Sequence, residues 1–514
     1  MPSAYPKRHS TRSASVLAPS GLELSGLLAL IGLYIFAEPI FGANANDTVN
    51  VVGPVLFIAS LGYGIWIMVS ADSHTVLTAL FGFRLSALVF YGIGSLAPFF
   101  LSDAQRLYIE TFYQFSAVEL ARLNLLVAVS VFAVLAVCFV LERAVKRTQP
   151  EAERPQFHQP DYNRMKRFGL SFTVIGSVIK YLFVFPVTMG WTADVLPGVI
   201  GTFGALSLIG IFLLAYWSAA AAPRAMPALI AFLFLEFILG LVTLSKESAL
   251  LPLFSCLLGL IAQKATVLRI LVAIVSFTVA VEVLSPAVAF ARDQLQLRAG
   301  GQVALLDRVQ MLANYYSPTG GGLVGAESGS AAMRTSLVNA ATFAMYLYDS
   351  GRAGDSFEGW WTTLIPRLLW PNKPVLEPGK EFAMLGSMHE AENSVSPGII
   401  AEAYWNFGWA GTLYIMIPLA PLLLLLSHYS LFVVRNGHWL YLPGAFIGMR
   451  VGLSIDSLFV GAILGSAVIV VWLHIGAYVA MDILRRLGLD NASNGRRRSH
   501  RRDQIRSGTA KRAW

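Results

Sequence analysis

Long runs of apolar residues, most of them close to the length that crosses a bilayer, recur along most of the chain. They cover residues 24–41, 51–70, 75–101, 120–141, 168–189, 196–219, 226–244, 249–262, 267–284, 409–426, 440–453 and 458–481. About 20 apolar residues in a helix span the hydrocarbon core of a membrane. The pattern therefore predicts an all-α polytopic membrane protein with about 12 transmembrane helices.

These runs divide the chain into five parts. A polar tail covers residues 1–21, nine helices lie within 22–288, three helices lie within 408–481, and a basic tail covers 482–514. Residues 289–407, here called the connecting segment, separate the ninth helix from the tenth. Apolar residues recur at helical spacing in 305–312 and 333–348, with a Gly/Ser-rich stretch at 319–330 between them, so two amphipathic helices are expected.

The positions of basic residues predict the orientation. If the N-terminus is cytoplasmic, most basic loops fall on the same side, as the positive-inside rule requires. Their basic residues are Arg143, Lys146, Arg147, Arg154, Arg164, Lys166, Arg167, Arg224, Lys264 and Arg435, followed by the Arg-rich tail. Both termini are then cytoplasmic and the connecting segment lies outside. A cleaved signal peptide ending near Ala43-Asn-Ala45 is the alternative for the first run, whose near-spanning length favours a retained helix.

Composition narrows the class of protein. The chain is 56% hydrophobic and 13% charged, whereas about a quarter of the residues of a soluble protein are charged. The formal charge of +8 is concentrated in loops and the tail, so it indicates topology and not nucleic-acid binding. Two separated cysteines, Cys138 and Cys256, and the lack of phosphate-loop or zinc motifs predict no disulfide framework, no metal and no cofactor.

Ionisable groups within or at the ends of the apolar runs are candidates for function, because a charge within a bilayer is costly. They are Glu38, Arg84, Arg122, Lys180, Glu236, Lys246, Glu247, Glu282, Arg450 and Asp456. The functional interpretation is a set of cations around an anionic headgroup, since guanidinium and ammonium groups bind phosphate strongly. The structural alternative is that they reach the headgroup region or pair with carboxylates, for example Lys246 with Glu247.

The connecting segment adds a second group of candidates. Its cations are Arg308, Arg334, Arg367, Lys373 and Lys380, and they lie near His389 and Glu402 in the sequence. A hydroxyl that attacks a phosphorylated carbon needs a base and cations that stabilise the leaving phosphate. The aromatic residues Trp360, Trp361, Trp370 and Tyr404 could stack on sugars, but an interfacial aromatic belt is the interpretation we favour for most of them.

Several motifs in this segment resemble those of the Wzy-type oligosaccharide repeat-unit polymerases of bacteria. They are an Arg before an amphipathic helix (Arg334), a Gly and aromatic stretch (Gly354 to Trp361), the string Ile365-Pro-Arg367-Leu-Leu-Trp370-Pro-Asn-Lys373-Pro374, Gly379, and Ile400-Ala-Glu402-Ala-Tyr404-Trp-Asn406-Phe-Gly408-Trp-Ala-Gly411. Ser245-Lys246, after a helix, resembles a basic position of the same family. The resemblance covers the connecting segment and the overall topology.

The resemblance implies a glycosyltransferase of O-antigen or exopolysaccharide synthesis in the bacterial inner membrane. It would join undecaprenyl-pyrophosphate-linked oligosaccharides at the outer face, without metal or nucleotide, alongside membrane lipid and a possible chain-length regulator. Glu402 is the first candidate base and His389 the second, with Arg367 as a catalytic cation. Groups for binding pyrophosphate or sugar are Lys373, Arg84, Arg122, Lys246, Arg334, Arg450, Arg308, Trp370 and Tyr404. A glycan ligase and a lipid-linked oligosaccharide flippase remain alternatives.

Overall fold

The structure is a computed structural model, and it describes residues 16–148, 161–192, 198–297, 304–317, 337–365, 370, 372–374, 378–385 and 395–486. Within these ranges the secondary structure is helical, without a strand, and ten helices are long and apolar enough to cross a membrane. The predicted all-α, multi-pass membrane fold is therefore confirmed.

The helices are numbered along the chain. The first group comprises α1 (Gly21–Ile35), α2 (Ala37–Ala71), α3 (Ala79–Phe100), α4 (Asp103–Tyr113) and α5 (Ala117–Thr148). The second comprises α6 (Tyr162–Thr188), α7 (Ile200–Ala221), α8 (Pro223–Val242), α9 (Lys246–Gln263) and α10 (Val267–Leu297). The remainder are α11 (Leu305–Tyr315), α12 (Val338–Asp349), α13 (Pro378–Leu385), α14 (Ile399–Phe407), α15 (Thr412–Arg435), α16 (Leu442–Leu453) and α17 (Phe459–Ile483).

Two of the predicted spans, at 24–41 and 440–453, correspond to helices that are not among these ten. The first run is interrupted at Phe36, so α1 has 15 residues and the rest of the run begins α2. Pro39 lacks the N–H that would continue the helix by bonding to the carbonyl of Ile35, which accounts for the interruption. Helix α16 has 12 residues, or roughly 18 Å at 1.5 Å per residue, which is less than the thickness of the hydrocarbon core.

The connecting segment also begins later than predicted. Helix α10 continues to Leu297, well beyond the predicted end at residue 284 and the predicted boundary at 288. The two helices predicted within the segment are present as α11 and α12. The Gly/Ser-rich stretch at 319–330 and the start of the second predicted helix, residues 333–336, lie outside the described residues.

The ends of the membrane helices lie at two opposite faces of the bundle, in the alternation that the predicted topology requires. On one face the end of α2 meets the end of α15, where Asp72 pairs with Arg435 at 2.7 Å, and Ser73 donates to the carbonyl of Ala262 at the end of α9. On the other face Asn50 of α2 donates to the carbonyl of Ala117 at the start of α5. Which face is cytoplasmic remains a prediction from the charge distribution.

A buried ion pair joins the first three helices. Arg84 of α3 donates to both carboxylate oxygens of Glu23 on α1, at 2.7 and 3.2 Å, and the side chains are 1% and 0% exposed. Gly64 of α2 makes room for the pair, since a Cβ at that position would lie 2.3 Å from the Glu23 carboxylate. The three helices therefore pack around a charged pair that is closed to solvent.

Candidate active site

The short helix α14 is placed by two glycines. Gly398 precedes it with φ of +79° and its carbonyl accepts the N–H of Glu402, while Gly408 ends it with φ of +59°. These backbone conformations are in the left-handed region that favours glycine. Gly408 also lies against Tyr348 of α12, where a Cβ would come within 2.8 Å of the ring. Gly398 and the motif residue Gly408 thus fix α14 between α12 and the membrane helices.

Arg122, Asp349 and Tyr404 meet on one side of α14 and are here called the Arg122 cluster. Arg122, near the start of α5, donates to Asp349 at the end of α12 at 2.5 Å and to the Tyr404 hydroxyl at 2.5 Å. The Tyr404 hydroxyl in turn donates to Asp349 at 3.0 Å. The cluster connects a membrane helix to two helices of the connecting segment.

The Arg122 cluster is partly open to solvent. The side chains of Arg122 and Asp349 are each 35% exposed, whereas Tyr404 is 2% exposed. Burial, together with the hydrogen bond to Asp349, raises the pKa of the Tyr404 hydroxyl far above its ordinary value, so that hydroxyl stays protonated. The cluster therefore presents a guanidinium and a carboxylate to a ligand from solvent, and the neutral Tyr404 hydroxyl lies beneath them.

Glu402 lies on a different side of α14 and is completely buried. Its carboxylate accepts the hydroxyl of Ser356 at 2.7 Å and the backbone N–H of Phe459, the first residue of α17, at 2.6 Å. Asn406, one turn later, donates to the same Ser356 hydroxyl at 2.9 Å. Glu402 thus joins α14 to the start of the last membrane helix.

Burial raises the pKa of Glu402 to about 7, against the two hydrogen bonds that favour its ionised form. A carboxyl that titrates near neutrality can accept a proton and release it again, which is the property of a general base. Residues two apart on a helix differ by about 200° in direction, so Glu402 does not face the Arg122 cluster that Tyr404 joins. In this structure the Glu402 carboxylate is inaccessible to substrate.

Lys373 and Trp370 organise an aromatic part of the connecting segment. Lys373 donates to the carbonyls of Thr362 and Ile365, at 3.1 Å each, at the end of a 3-10 helix that spans Trp360–Leu364. Trp370 stacks on Trp361, with ring centroids 5.8 Å apart and an interplanar angle of 21°. Trp360 and Trp361 are about half exposed, as either an interfacial belt or a sugar platform requires.

The other predicted cations lie elsewhere. Arg84 is buried with Glu23, so binding a substrate would require that pair to break. Arg308 is 6% exposed and donates to the carbonyl of Met189 at the end of α6. Lys246 begins α9, and Arg450 is exposed on α16. The predicted residues Arg334, Arg367 and His389 lie outside the described residues.

Asp456, just after α16, is affected electrostatically by a residue of α16 and by one at the start of α9. Burial raises the pKa of Asp456, just after α16, while the charge of Arg450 opposes this increase and that of Glu247 adds to it. Both charges therefore lie close enough to Asp456 to affect its ionisation. Among the described residues, the predicted groups thus fall into separate sets: Arg122 bonds to Tyr404, the Lys373 N–H donates to the carbonyl of Trp370, and Lys180 pairs with Glu236.

Asp349, Ser356 and Asn406 hold the described site together, and none of them was predicted to have a role. Asp349 ends the predicted amphipathic helix, but its partner Arg122 is 227 residues away in sequence. Asn406 follows Glu402 by four residues, a spacing that puts both on one face of a helix. That spacing is the one signal in the sequence that indicates a shared partner.

Comparison with family models, curated proteins and solved structures finds no match to this chain.

Proposed function

We propose that this protein is a glycosyltransferase that joins oligosaccharide repeat units carried on undecaprenyl pyrophosphate into a surface or exopolysaccharide. The reaction takes place at the membrane face that bears the connecting segment, which we assign to the outer face of a bacterial inner membrane, with both termini cytoplasmic. Motif resemblance suggests this chemistry. The observation that carries it is the partly exposed Arg122 cluster, which joins a membrane helix to the helix that also bears Glu402.

In the proposed reaction, a hydroxyl of one repeat unit attacks the anomeric carbon of the growing chain. The new C–O bond forms as the bond to undecaprenyl pyrophosphate breaks, and the hydroxyl proton passes to a carboxylate. Arg122 stabilises the leaving pyrophosphate, because a guanidinium binds phosphate oxygens through two parallel hydrogen bonds. Asp349 holds the guanidinium in place until the substrate arrives.

Two carboxylates compete for the role of base. Glu402 has the near-neutral pKa, but Ser356 and Phe459 occupy its oxygens, so the acceptor reaches it only if α14 moves from the start of α17. Asp349 is accessible, but its carboxylate already accepts hydrogen bonds from Arg122 and Tyr404. A rate that rises with pH and levels off above about 7 favours Glu402.

The test is elongation by the purified protein in vesicles that contain lipid-linked repeats, followed as a ladder of products. We expect Arg122→Gln, Arg367→Ala and Glu402→Gln to abolish elongation while the protein inserts in normal amount. Arg106→Gln is the matched control, because Arg106 is an exposed cation on α4. Normal elongation by Arg122→Gln would show that the Arg122 cluster takes no part in the reaction. Full-length product from Glu402→Gln would show that Glu402 is not the base.

Other outcomes separate the alternatives. Transfer of a finished glycan to another acceptor without growth of the ladder would identify a ligase. Movement of lipid-linked repeats across the vesicle membrane without elongation would identify a flippase. Either result would overturn the polymerase proposal.

A further inference from the structure

An ion pair joins α6 to α8 within the membrane. Lys180 of α6 donates from Nζ to Oε2 of Glu236 on α8 at 2.6 Å. At 1.5 Å per residue, Lys180 lies roughly 12 Å before the end of α6 at Thr188, and Glu236 roughly 9 Å before the end of α8 at Val242. Both residues are therefore within the spanning part of their helices, where an acidic side chain is costly and is a candidate for proton binding.

The two oxygens of Glu236 have different surroundings. Its side chain is 1% exposed, and Oε1 is buried without a hydrogen-bond partner among the described residues. The hydroxyl of Tyr181, the residue after Lys180, is also buried without such a partner, and it lies close enough to Glu236 to be affected by that charge. A buried oxygen that has lost water and gained no donor is costly while it carries charge. A proton on Oε1 removes that cost.

The buried pair of Glu23 and Arg84 provides the contrast. Arg84 donates to both oxygens of Glu23, at 2.7 and 3.2 Å, and is 1% exposed. A guanidinium is a planar fork that keeps its charge, whereas the ammonium of a lysine is a point charge on a flexible chain. Lys180 donates to one oxygen of Glu236 and is 20% exposed. Glu236 therefore has fewer donors for its charge than Glu23 has.

The backbone of α6 is also irregular at this place. Residues Lys180–Val184 form a π-helical turn, and such turns are frequent at functional sites. Ser177 lies one turn before Tyr181 on the same helix, and its hydroxyl is buried without a hydrogen-bond partner among the described residues. Polar atoms that lack partners in the described part of the chain are thus concentrated around the ion pair.

The other ionisable groups of the elements packed on α8 lie at other depths. Helices α6, α7, α9 and α11 contribute these elements. Towards the end of α8 at Val242 the groups are Lys246 and Glu247, which begin α9, and Asp307, Arg308 and Tyr315 of α11. Towards its other end they are Arg224, the basic start of α6, Cys256, which packs with Leu229, and Tyr216, which bonds to His74. Within the described residues, Lys180 and Tyr181 are the ionisable groups that face Glu236.

We propose that Glu236 is a proton-binding site within the membrane. A proton from the aqueous phase adds to Oε1, the carboxylate becomes a neutral carboxyl group, and its ion pair with Lys180 is lost. Lys180 is then no longer held on α8, so proton binding loosens the contact between α6 and α8. The site is independent of the polymerase proposal, because it uses other helices than the Arg122 cluster and requires no glycan.

The test is infrared difference spectroscopy of the purified protein in phosphatidylcholine vesicles, at a series of pH values. The signal is the C=O stretching band of protonated carboxyl groups, which grows as the pH is lowered. We expect one component of this band to be absent from Glu236→Gln. Glu402 contributes a separate component, which is identified by its loss in Glu402→Gln. A band that is unchanged in Glu236→Gln would overturn the proposal.

Substitutions of Lys180 test the site without removing the carboxyl group. Lys180→Gln removes the cation, so the Glu236 component should persist to a pH higher by about one unit or more. Lys180→Arg supplies a fork that can donate to both oxygens, so the component should appear only at a lower pH than in the native protein. Glu23→Gln is the matched control and should leave the component unchanged. A shift in the same direction in both Lys180 variants, or no shift in either, would contradict the site.

Discussion

Substitution of Gly64 by alanine tests the buried ion pair between Glu23 and Arg84. A Cβ at Gly64 would lie 2.3 Å from both Cδ and Oε1 of Glu23, too close for any van der Waals contact. Gly62, on the same helix, supplies the control, since its Cβ would have Leu88 Cδ1 as nearest neighbour at 3.8 Å. The two substitutions make the same chemical change in the same helix and differ in what the new methyl group meets.

The magnitude follows from what the carboxylate must give up. Displacement of Glu23 breaks its bonds of 2.7 and 3.2 Å to Arg84, and both side chains are almost completely buried. Loss of one partner of a buried pair costs about 3–5 kcal/mol. Alanine is favoured over glycine within a helix by about 1 kcal/mol. Gly64→Ala should therefore lower the free energy of unfolding by about 2–4 kcal/mol.

The assay is equilibrium unfolding of the purified variants in one detergent, with tryptophan fluorescence as the signal. Gly62→Ala should be as stable as the native protein or slightly more stable, by up to about 1 kcal/mol. If Gly64→Ala is as stable as Gly62→Ala, the ion pair is not packed against α2 in the way described.

The same pair decides the role of Arg84. Replacing both partners, as Glu23→Leu with Arg84→Met, removes the charges together and should restore most of the stability lost in either single variant. Elongation by this double variant is expected if Arg84 is structural. A stable double variant that no longer elongates would instead support the pyrophosphate-binding role implied by the family resemblance.

Further predictions concern pH, the opposite face and topology. The raised pKa of Glu402, about 7 against an ordinary 4.5, means that the folded state binds the proton more tightly, so stability should fall by about 3 kcal/mol from pH 4.5 to 7. In Glu402→Gln the free energy of unfolding should no longer fall with pH across that range. An unchanged dependence on pH would show that another group causes it. Arg435→Gln should cost about 1.5–3 kcal/mol in equilibrium unfolding, because Asp72 loses charge-assisted hydrogen bonds; a stability equal to the native protein would contradict this. A reporter fused after Gly322 should behave as external and one after Gln159 as internal, whereas the reverse pattern would invert the topology.

The membrane fold is predictable because bilayer thickness imposes one length on every spanning helix. The exceptions have local causes. The proline at position 39 ends α1 early, and α10 continues through the polar residues after 284, because helical hydrogen bonding does not depend on an apolar side chain. Apolar runs therefore locate the helices in a sequence better than they locate the helix ends.

The site was predictable only in part, because its contacts are distant in sequence. The motif on α14 predicts roles for Glu402 and Tyr404. It does not predict that their side chains contact different partners. In the sequence, Arg84 and Arg122 are both cations of apolar runs, with Arg122 near the end of its run and Arg84 deeper in its own. In the structure a buried glutamate pairs with Arg84, whereas a partly exposed aspartate pairs with Arg122. The pairing of each acidic residue with its cation depends on how the helices pack. The periodicity of apolar residues in the sequence does not specify that packing.

The most direct test of the proposed function is a sided elongation measurement. Purified protein is reconstituted in one orientation, and lipid-linked repeats are supplied either to the leaflet on the side of the connecting segment or to the opposite leaflet. We predict a ladder of longer glycans on undecaprenyl pyrophosphate in the first case, and none in the second. Repeats that are never lengthened from either leaflet would contradict a polymerase, and lengthening only from the opposite leaflet would contradict the location of its site.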